Sequence, residues 1–443
     1  MIEKNTLEVL ERAASTLEQG FKKLPEFKPS VDVKAIQMVL QTVAHRLQNN
    51  YPYQHPFYIG QMLKPPHIMA QLAYMLTMTL NPNNHALDGG RESSKMEKEV
   101  VAEISDMFGW DTHLGHLTSG GTMANMEALW IAGQIHPHKK ILASTQAHYT
   151  HQRITSVLKL EFETVEVDQF GKMCLLDLEN QLKQGDIGTV VATLGTTGMG
   201  ALDPLSDILK LQQKYNFRIH VDTAYGGYYT LADNLSDDGR MIYDCLSQVD
   251  SIVIDPHKHG LQPYGCGCIL FKDPAVGTYY NHDSPYTYFS SDDLHLGEIS
   301  LECSRAGASA VALWATQQLL PMTKDGEFAR GLTRCRKAAL TFYEKLLTSS
   351  HYRPLLQPEL DIVIWAPEAG TASEMSRLSR NIFDRGASED LHMALINLPQ
   401  KLIQAHWPDI NYDEEHVTCL RACFMKPEHM DWMDRIWDKF EKL

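Results

Sequence analysis

The sequence lacks long hydrophobic runs and an excess of basic side chains. Its apolar runs have the length of β-strands, whereas a transmembrane helix needs roughly 20 apolar residues. The N-terminal segment has a helical pattern with charged residues spread through it, and it lacks the apolar core of a signal peptide. We therefore expect a soluble, cytoplasmic protein with no membrane partner. The 55 acidic and 40 basic side chains give a formal net charge of −15, which argues against a nucleic-acid partner.

The cysteine and histidine patterns argue against two further classes of protein. The eight cysteines are irregularly spaced and predict no disulfide framework; the close pair Cys266 and Cys268 is expected to fill a tight core. The 20 histidines include two His-x-x-His pairs, at 113/116 and 148/151, but neither pair has further ligands beside it in the sequence. No metal site is predicted. The glycine motifs of dinucleotide and nucleoside triphosphate sites are also missing.

The 443 residues can bury a large core, since 44% of them are hydrophobic, and the pattern divides into three parts. Residues 1–60 are typical of amphipathic helices followed by a proline-rich and aromatic segment, an arm with too few apolar residues for its own core. Residues 61–320 alternate strand-like and helix-like segments, which predicts a parallel sheet with crossover helices. In this part Ser93 or Ser94 is predicted to cap a helix. Residues 321–443 predict a small α+β domain.

A single lysine follows a predicted buried strand. The run from Ser251 to Ile254 is mostly apolar and β-branched, which predicts a strand. Pro256 ends the strand because it cannot donate an inter-strand hydrogen bond, and a second predicted strand rich in small residues follows. A partly desolvated lysine with a depressed pKa forms imines readily. Our hypothesis is that Lys258 holds a carbonyl cofactor as a Schiff base. Taken alone, the stretch is more typical of a solvated loop lysine.

Two other strand ends carry polar groups that would complete such a site. A turn at residues 119–122 runs from a short apolar segment into an apolar helix, and the N-terminus of a helix favours an anion such as phosphate. A plain capped turn is the alternative. The predicted strand from Arg218 to Asp222 ends in a carboxylate. Ligands bind where loops leave the carboxyl ends of parallel strands. A lysine, a phosphate turn and an acid at those ends predict pyridoxal phosphate.

Nearby side chains suit the faces and edges of that cofactor. Asp222 would keep the pyridine nitrogen protonated, so that the ring accepts the electrons left when a bond to the substrate's Cα breaks. His148 would stack on one face of the ring, and Ala224 is small enough to pack on the other. Thr193 would form a hydrogen bond near the phenolic oxygen.

Four ordered motifs resemble those of the group II pyridoxal phosphate-dependent amino acid decarboxylases, over residues 55–427. They are Asp-Pro-His-Lys at 255–258, His-Val-Asp-Thr-Ala-Tyr at 220–225, Thr-Ser-Gly-Gly-Thr-Met-Ala-Asn at 118–125 and Gly-Thr-Thr-Gly at 195–198. The resemblance implies an α/β protein of fold type I, like aspartate aminotransferase, with a mostly parallel seven-stranded sheet and a small C-terminal α+β domain. It also implies a homodimer with shared active sites, in which the N-terminal arm wraps the partner.

The resemblance also implies a reaction and a role for each motif residue. The reaction is decarboxylation of an L-amino acid to its amine and CO2. The implied roles are Lys258 as the Schiff-base lysine, Asp222 as the pyridine partner, His148 as the stacking ring, Gly120, Gly121 and Thr122 as phosphate contacts, and His257 as a residue near the phosphate and the substrate.

The sequence indicates less directly which residue donates the proton that completes the reaction and which residues contact the substrate. In similar enzymes a tyrosine on a mobile loop after the lysine strand is associated with the proton, and Tyr286 and Tyr288 are candidates, with aromatic packing as the alternative. Tyr58 and His85 lie in segments expected to surround the substrate side chain. Arg421 resembles the family's Leu-Arg strand and would bind a carboxylate bidentately, unless it forms a structural ion pair.

Three other functions remain open from the sequence. Two are enzymatic, namely carbon–carbon cleavage, as in the similar sphingosine phosphate lyases, and oxidative deamination to an aldehyde. The third is a cofactor-free binding protein that keeps the fold. The presence of both Lys258 and Asp222 argues against the third, because a binding protein needs neither residue.

Overall fold

Two β-sheets organise the chain in a computed structural model that describes residues 3–27, 30–281 and 294–443. The strands are β1 (Leu114–Thr118), β2 (Lys140–Ser144), β3 (Phe162–Val165), β4 (Ile187–Thr193), β5 (Arg218–Asp222), β6 (Ser251–Ile254), β7 (Gly267–Phe271), β8 (Tyr352–Pro354), β9 (Ile362–Pro367), β10 (Ala394–Pro399) and β11 (His416–Cys423). The first seven strands form one sheet and the last four form the other.

Helices precede, connect and cover these strands. The α-helices are α1 (Lys4–Gln19), α2 (Val33–Leu47), α3 (Ile68–Met78), α4 (Arg91–Met107), α5 (Gly121–Ile135), α6 (Thr150–Leu158), α7 (Leu175–Gln184), α8 (Leu205–Tyr215), α9 (Asp237–Asp244), α10 (Gly307–Leu319), α11 (Glu327–Thr348), α12 (Ala372–Ser388), α13 (Gln400–Ile403) and α14 (His429–Phe440). Short 3₁₀ turns cover Gly227–Leu231, Leu246–Gln248, Pro274–Tyr280 and Leu296–Ile299. None of the helices in the described ranges combines the length and apolarity needed to cross a membrane.

The larger sheet has the strand order β1-β7-β6-β5-β4-β2-β3. β7 pairs antiparallel with β1 and β6, and the other described pairs are parallel. The prediction of a mostly parallel seven-stranded sheet is therefore confirmed. Its register decides where the site lies, because Thr193 of β4 pairs with Asp222 of β5, which pairs with Val253 of β6. The polar ends of these strands consequently meet at one edge.

Local sequence explains most of the element ends. Every residue of β4 is buried, as expected for a strand covered on both faces by crossover helices. Helix α7 stops at Gly185, whose φ of 84° favours glycine. The predicted cap at Ser93 or Ser94 is wrong, because α4 begins two residues earlier, at Arg91, and both serines are buried inside the helix. The Ser93 hydroxyl instead donates to the Asn84 side chain at 2.5 Å.

The smaller sheet is antiparallel throughout, in the order β10-β11-β9-β8. Helices α11 and α14 cover it, and Trp365, Phe342 and Phe440 pack ring against ring with centroids 5.1 to 5.6 Å apart. The sequence predicts strands over residues 360–365 and near 418–424, and β9 and β11 lie close to these positions. β8 and β10 were not predicted. The division of the chain at residues 60 and 320 stays a prediction.

The N-terminal part is attached through its last residues. Ile59 donates its backbone N–H to His392 at 2.9 Å and accepts the N–H of Cys423 at 2.8 Å, which ties this segment to the smaller sheet. The two predicted N-terminal helices are present as α1 and α2. In these described helices no residue is buried, so their apolar sides face outward.

Candidate active site

A cavity of about 340 Å³ opens at the carboxyl ends of β4, β5 and β6. Nine residues predicted from the sequence to contact the cofactor line this one cavity. They are Gly120, Gly121, Thr122, His148, Thr193, Asp222, Ala224, His257 and Lys258. The other lining residues are Ser119, Met123, Asn125, Thr150, Gly195, Thr197, Tyr225 and Asp255.

Lys258 reaches the cavity from the turn that follows β6. Its backbone N–H donates to the Asp255 carbonyl at 2.9 Å, and its Nζ lies 3.1 Å from Oδ2 of Asp255. The lysine side chain is 20% exposed, while Asp255 is buried. The neighbouring His257 is held by a 2.7 Å contact between its Nδ1 and the Cys266 carbonyl. The amine is thus accessible from the cavity and has a carboxylate beside it.

Asp222, at the end of β5, is buried and bound on both carboxylate oxygens. Oδ2 lies 2.9 Å from Nε2 of His151 and accepts Nδ2 of Asn125 at 3.3 Å, and Oδ1 accepts the backbone N–H of Ala224 at 3.0 Å. Burial by itself would raise the pKa of Asp222, but the hydrogen bond and charge of His151 outweigh burial and hold that pKa below its usual range. The carboxylate is therefore ionised at neutral pH.

A chain of buried polar groups continues behind Asp222. The side-chain Nδ2 of Asn125 donates to Asp222, so the Oδ1 of the same amide is the acceptor. Nε2 of His220 lies 2.8 Å from that Oδ1. Burial lowers the pKa of His220 to about 3, so the ring is neutral. Nε2 then carries the proton, and Nδ1 accepts from the Ser251 hydroxyl at 2.9 Å. The amide of Asn125 is oriented by this chain toward the carboxylate.

Sequence reasoning missed the members of this network. His151 was considered only as half of a His-x-x-His pair, yet it binds Asp222 while His148 lines the cavity. A signal for His220 was present, because residues two apart on a strand share a face, and His220 and Asp222 both lie on β5. Asn125 belongs to the motif at residues 118–125. Its contact with Asp222 on β5 depends on how α5 crosses the sheet, and residue spacing in the sequence does not determine that crossing.

The glycine turn lies against the lysine segment. Gly120 has a φ of 151°, a conformation that side chains rarely adopt, and α5 begins at the next residue. A Cβ on Gly121 would lie 2.8 Å from Oδ2 of Asp255, so only glycine lets the turn approach so closely. The backbone N–H of Ser119 donates to Oε2 of Glu302 at 2.8 Å. The start of α5 thus faces the cavity with the polarity that suits an anion.

Three further side chains border the cavity without strong bonds to the rest of the protein. The Thr193 hydroxyl is buried and has no hydrogen-bond partner within the described part of the chain. His148 is partly buried, its Nδ1 contacts the Thr150 hydroxyl, and burial lowers its pKa against the opposing effect of Asp222. Ala224 offers only a methyl group. A neutral ring, a methyl group and an unpaired hydroxyl are suited to the faces and edge of a flat aromatic ligand.

The residues present fit pyridoxal phosphate. The cavity combines an exposed amine for an aldehyde, an ionised buried carboxylate for a pyridine nitrogen and the N-terminus of α5 for a phosphate. The unpaired Thr193 hydroxyl supplies a donor for a phenolic oxygen. Each of these groups corresponds to one functional group of the cofactor.

The predicted substrate contacts are not among the residues that line this cavity. Tyr58 is buried; its hydroxyl accepts the N–H of Gln61 at 3.3 Å, and its carbonyl accepts Nζ of Lys426 at 2.7 Å. The backbone carbonyl of His85 accepts the N–H of Gly297 at 2.8 Å. The roles of Tyr58 and His85 toward a substrate stay predictions.

Arg421 binds the backbone of a loop next to the cavity. Arg421, on β11, donates Nε to the Gly198 carbonyl at 2.9 Å and an Nη2 hydrogen to the Thr197 carbonyl at 2.6 Å. It therefore supports the loop behind the cavity wall, and its predicted carboxylate contact is untested. Tyr286 and Tyr288 lie outside the described residues.

Comparisons with known proteins agree with this site. The pyridoxal-dependent decarboxylase conserved domain matches residues 22–364. An L-tyrosine decarboxylase from Enterococcus faecium is 25% identical, over 96% of this chain and 90% of that protein. An L-2,4-diaminobutyrate decarboxylase from Acinetobacter baumannii is 26% identical, over 81% of this chain and 77% of that protein.

The fold is also found among solved structures. The apo form of mouse CSAD matches with a TM-score of 0.79 and 19% identity, over 100% of this chain and 93% of that one. The predicted fold class is thereby confirmed. Because the family domain spans well over half of the chain, the protein belongs to the pyridoxal-dependent decarboxylase family, and it is a pyridoxal 5'-phosphate-dependent amino acid decarboxylase.

Proposed function

We propose that this cavity is where the chain decarboxylates an L-amino acid to its amine and CO2. One observation carries the assignment: the Lys258 amine and the ionised Asp222 carboxylate line the same cavity as the glycine turn at the start of α5. A binding protein would gain nothing from keeping a buried carboxylate ionised in the same cavity as an accessible lysine.

Each side chain has a defined task in this proposal. Lys258 would hold the cofactor through its Nζ, and Asp222 would keep a proton on the pyridine nitrogen. The cofactor would supply an acceptor for the electron pair left at the substrate's Cα when CO2 departs. The remaining contacts are Gly120, Gly121 and Thr122 with the phosphate, His148 and Ala224 with the two faces of the ring, Thr193 with the phenolic oxygen, and His257 with the phosphate end.

The chain's own groups manage the protons. His151 faces Asp222 at 2.9 Å and stabilises its charge. Asp255, 3.1 Å from Nζ of Lys258, stabilises the protonated amine whenever the lysine is not attached to the cofactor. Tyr286 or Tyr288 delivers the proton to Cα after the loss of CO2, and Arg421 anchors a carboxylate.

Cofactor attachment is tested by absorbance. Adding pyridoxal phosphate to the purified chain should produce a band near the edge of the visible range, and Lys258→Ala should abolish it. No change in absorbance for the native chain would refute the proposal.

Substrate choice is tested with a mixture of amino acids. The two relatives named above act on tyrosine and on 2,4-diaminobutyrate, so the mixture should contain aromatic, acidic and basic members. The holoenzyme should release CO2 and one matching amine. Release of an aldehyde with ammonia, or of no CO2, would favour the other reactions of this cofactor.

The proposed assembly is a homodimer in which the arm of residues 1–60 packs on the partner subunit. Met38, Val39 and Leu40 on α2 are 64%, 62% and 61% exposed, and such apolar faces call for a covering surface. Val39→Glu should lower the dimer fraction in sedimentation experiments, whereas Leu176→Glu, an exposed apolar position on α7, should not. A monomeric wild-type protein would contradict this proposal.

The proposed location is the cytoplasm. All eight cysteines are free thiols in the structure, which suits a reducing compartment.

A further inference from the structure

Another buried carboxylate, Asp361, lies behind the cavity and directly precedes β9 of the smaller sheet. Its side chain is fully buried. Oδ1 accepts the hydroxyl of Tyr225 at 2.6 Å, and Oδ2 lies 3.3 Å from Nε2 of His259. Both partners come from the larger sheet's loops, so this carboxylate joins the two sheets at the site.

Burial by itself would raise the pKa of Asp361, but the nearby His259, 3.3 Å away, and the hydroxyl of Tyr225 outweigh burial and hold that pKa below its usual range. Removing an ionised carboxylate from water is unfavourable unless its partners are held in place. The Asp361 backbone is also held, since its carbonyl accepts the N–H of Phe424 at 2.8 Å.

The two partners of Asp361 are next to the two central residues of the site. Tyr225 lines the cavity and lies three residues after Asp222, and His259 directly follows Lys258. Their rings pack edge to face with centroids 4.8 Å apart. One carboxylate thus contacts the loop that follows Asp222 and the turn that carries Lys258.

We propose that Asp361 is a positioning residue that acts mainly through Tyr225. It holds the tyrosine ring against the cavity and, with His259, keeps the Lys258 turn at a constant distance from the end of β5. This inference rests on the proposed placement of pyridoxal phosphate in the cavity. Together with Arg421 of β11, Asp361 supports from the side of the smaller sheet a site built at the edge of the larger one.

The test is a double-mutant cycle on the holoenzyme, with Asp361→Asn, Tyr225→Phe and the two combined. Pyridoxal phosphate affinity, measured by absorbance titration, is the primary readout, and kcat and KM are measured beside it. Each single variant should lose affinity by about 10- to 100-fold, the size expected for a hydrogen bond to a charged group. The combined variant should lose no more than Asp361→Asn alone, because both changes break one contact.

The matched control is Tyr215→Phe, which removes a tyrosine bond to the Glu179 carboxylate (2.9 Å) away from the cavity. If the Tyr225–Asp361 bond were only structural, Tyr225→Phe would lower the melting temperature and leave cofactor affinity unchanged. That is the result expected for the Tyr215→Phe control. Wild-type affinity in Tyr225→Phe, or losses that multiply in the combined variant, would overturn the proposal. If Asp361→Asn does not fold, Tyr225→Phe alone decides.

The failures of the two proposals are distinguishable. A wild-type protein that gives no absorbance band with pyridoxal phosphate overturns the proposed function, and this inference with it. A wild-type band together with unchanged affinity in Tyr225→Phe overturns only the role of Asp361.

Discussion

Nε2 of His151 lies 2.9 Å from Oδ2 of Asp222, and both side chains are buried. This contact outweighs the desolvation of the carboxylate and lowers the pKa of Asp222. The charge of Asp222, which we propose serves the cofactor's ring nitrogen, therefore depends on a histidine from α6, a helix outside the strand that carries the acid.

Replacing His151 should weaken the site without dismantling it. In His151→Leu the pKa of Asp222 should rise, because burial is no longer offset, and affinity for pyridoxal phosphate should fall by about 10- to 100-fold. Absorbance titration measures the change. His351→Leu, at an exposed histidine, is the control and should bind as wild type does. Unchanged affinity in His151→Leu would contradict the role given to this contact.

A methyl group on the glycine turn should disturb the lysine. Gly121→Ala places a Cβ 2.8 Å from Oδ2 of Asp255, closer than side chains pack, so the carboxylate must move from Nζ of Lys258. We expect a loss of about 1–3 kcal/mol in cofactor binding, typical of overpacking. Gly370→Ala has open space around it and should bind normally. Equal binding by both variants would show that the close approach is unimportant.

The loop tyrosines are tested by their products. If Tyr286 or Tyr288 protonates Cα, its replacement by phenylalanine should lower amine formation and increase the share of aldehyde, because the carbanion then persists longer. Chromatography of both products over a time course gives the ratio. Unchanged turnover in both variants would remove the two tyrosines from the mechanism.

Acid should destabilise the fold through buried neutral histidines. Burial lowers the pKa of His220 and of His429 to about 3, whereas an unfolded histidine titrates near ~6.5. Between these values the unfolded chain binds protons that the folded chain does not. The free energy of unfolding should therefore fall as the pH drops from ~6.5 toward 3. Each of the two histidines contributes up to about 1.4 kcal/mol for each pH unit.

The contribution of one of these histidines can be isolated. His429→Gln should reduce the slope of unfolding free energy against pH, measured by urea titration between about pH 7 and 5. His351→Gln should keep the wild-type slope, because that side chain is exposed. Equal slopes for wild type and His429→Gln would show that His429 is not kept neutral by the fold.

Much of the larger sheet was predictable because its signals are local. β5 and β6 have the bounds predicted from their apolar runs. The strand predicted over residues 189–194 is β4, whose ends differ by one or two residues. Chain reversals also carried signals, as Gly185 shows at the end of α7. β8 and β10 were missed because β8 has only three residues and β10 is only partly buried, so neither shows a clear pattern.

The start of α4 shows how a local rule loses to tertiary packing. Serine is a favoured cap, yet Ser93 and Ser94 lie buried within the helix. The Ser93 hydroxyl instead meets Asn84 from the preceding loop. A partner nine residues away in the chain decided the helix boundary, and the capping pattern contained no information about it.

The sequence by itself determined that Lys258, Asp222 and the glycine turn stand at strand or helix ends, because alternation and turn residues act over a few positions. Only the tertiary structure decided which buried groups tune them. His151, Asn125 and Asp361 reach the site from two helices and from the side of the other sheet. Such contacts depend on how elements cross in space, so the sequence pattern places the reactive groups, while packing sets their charge and orientation.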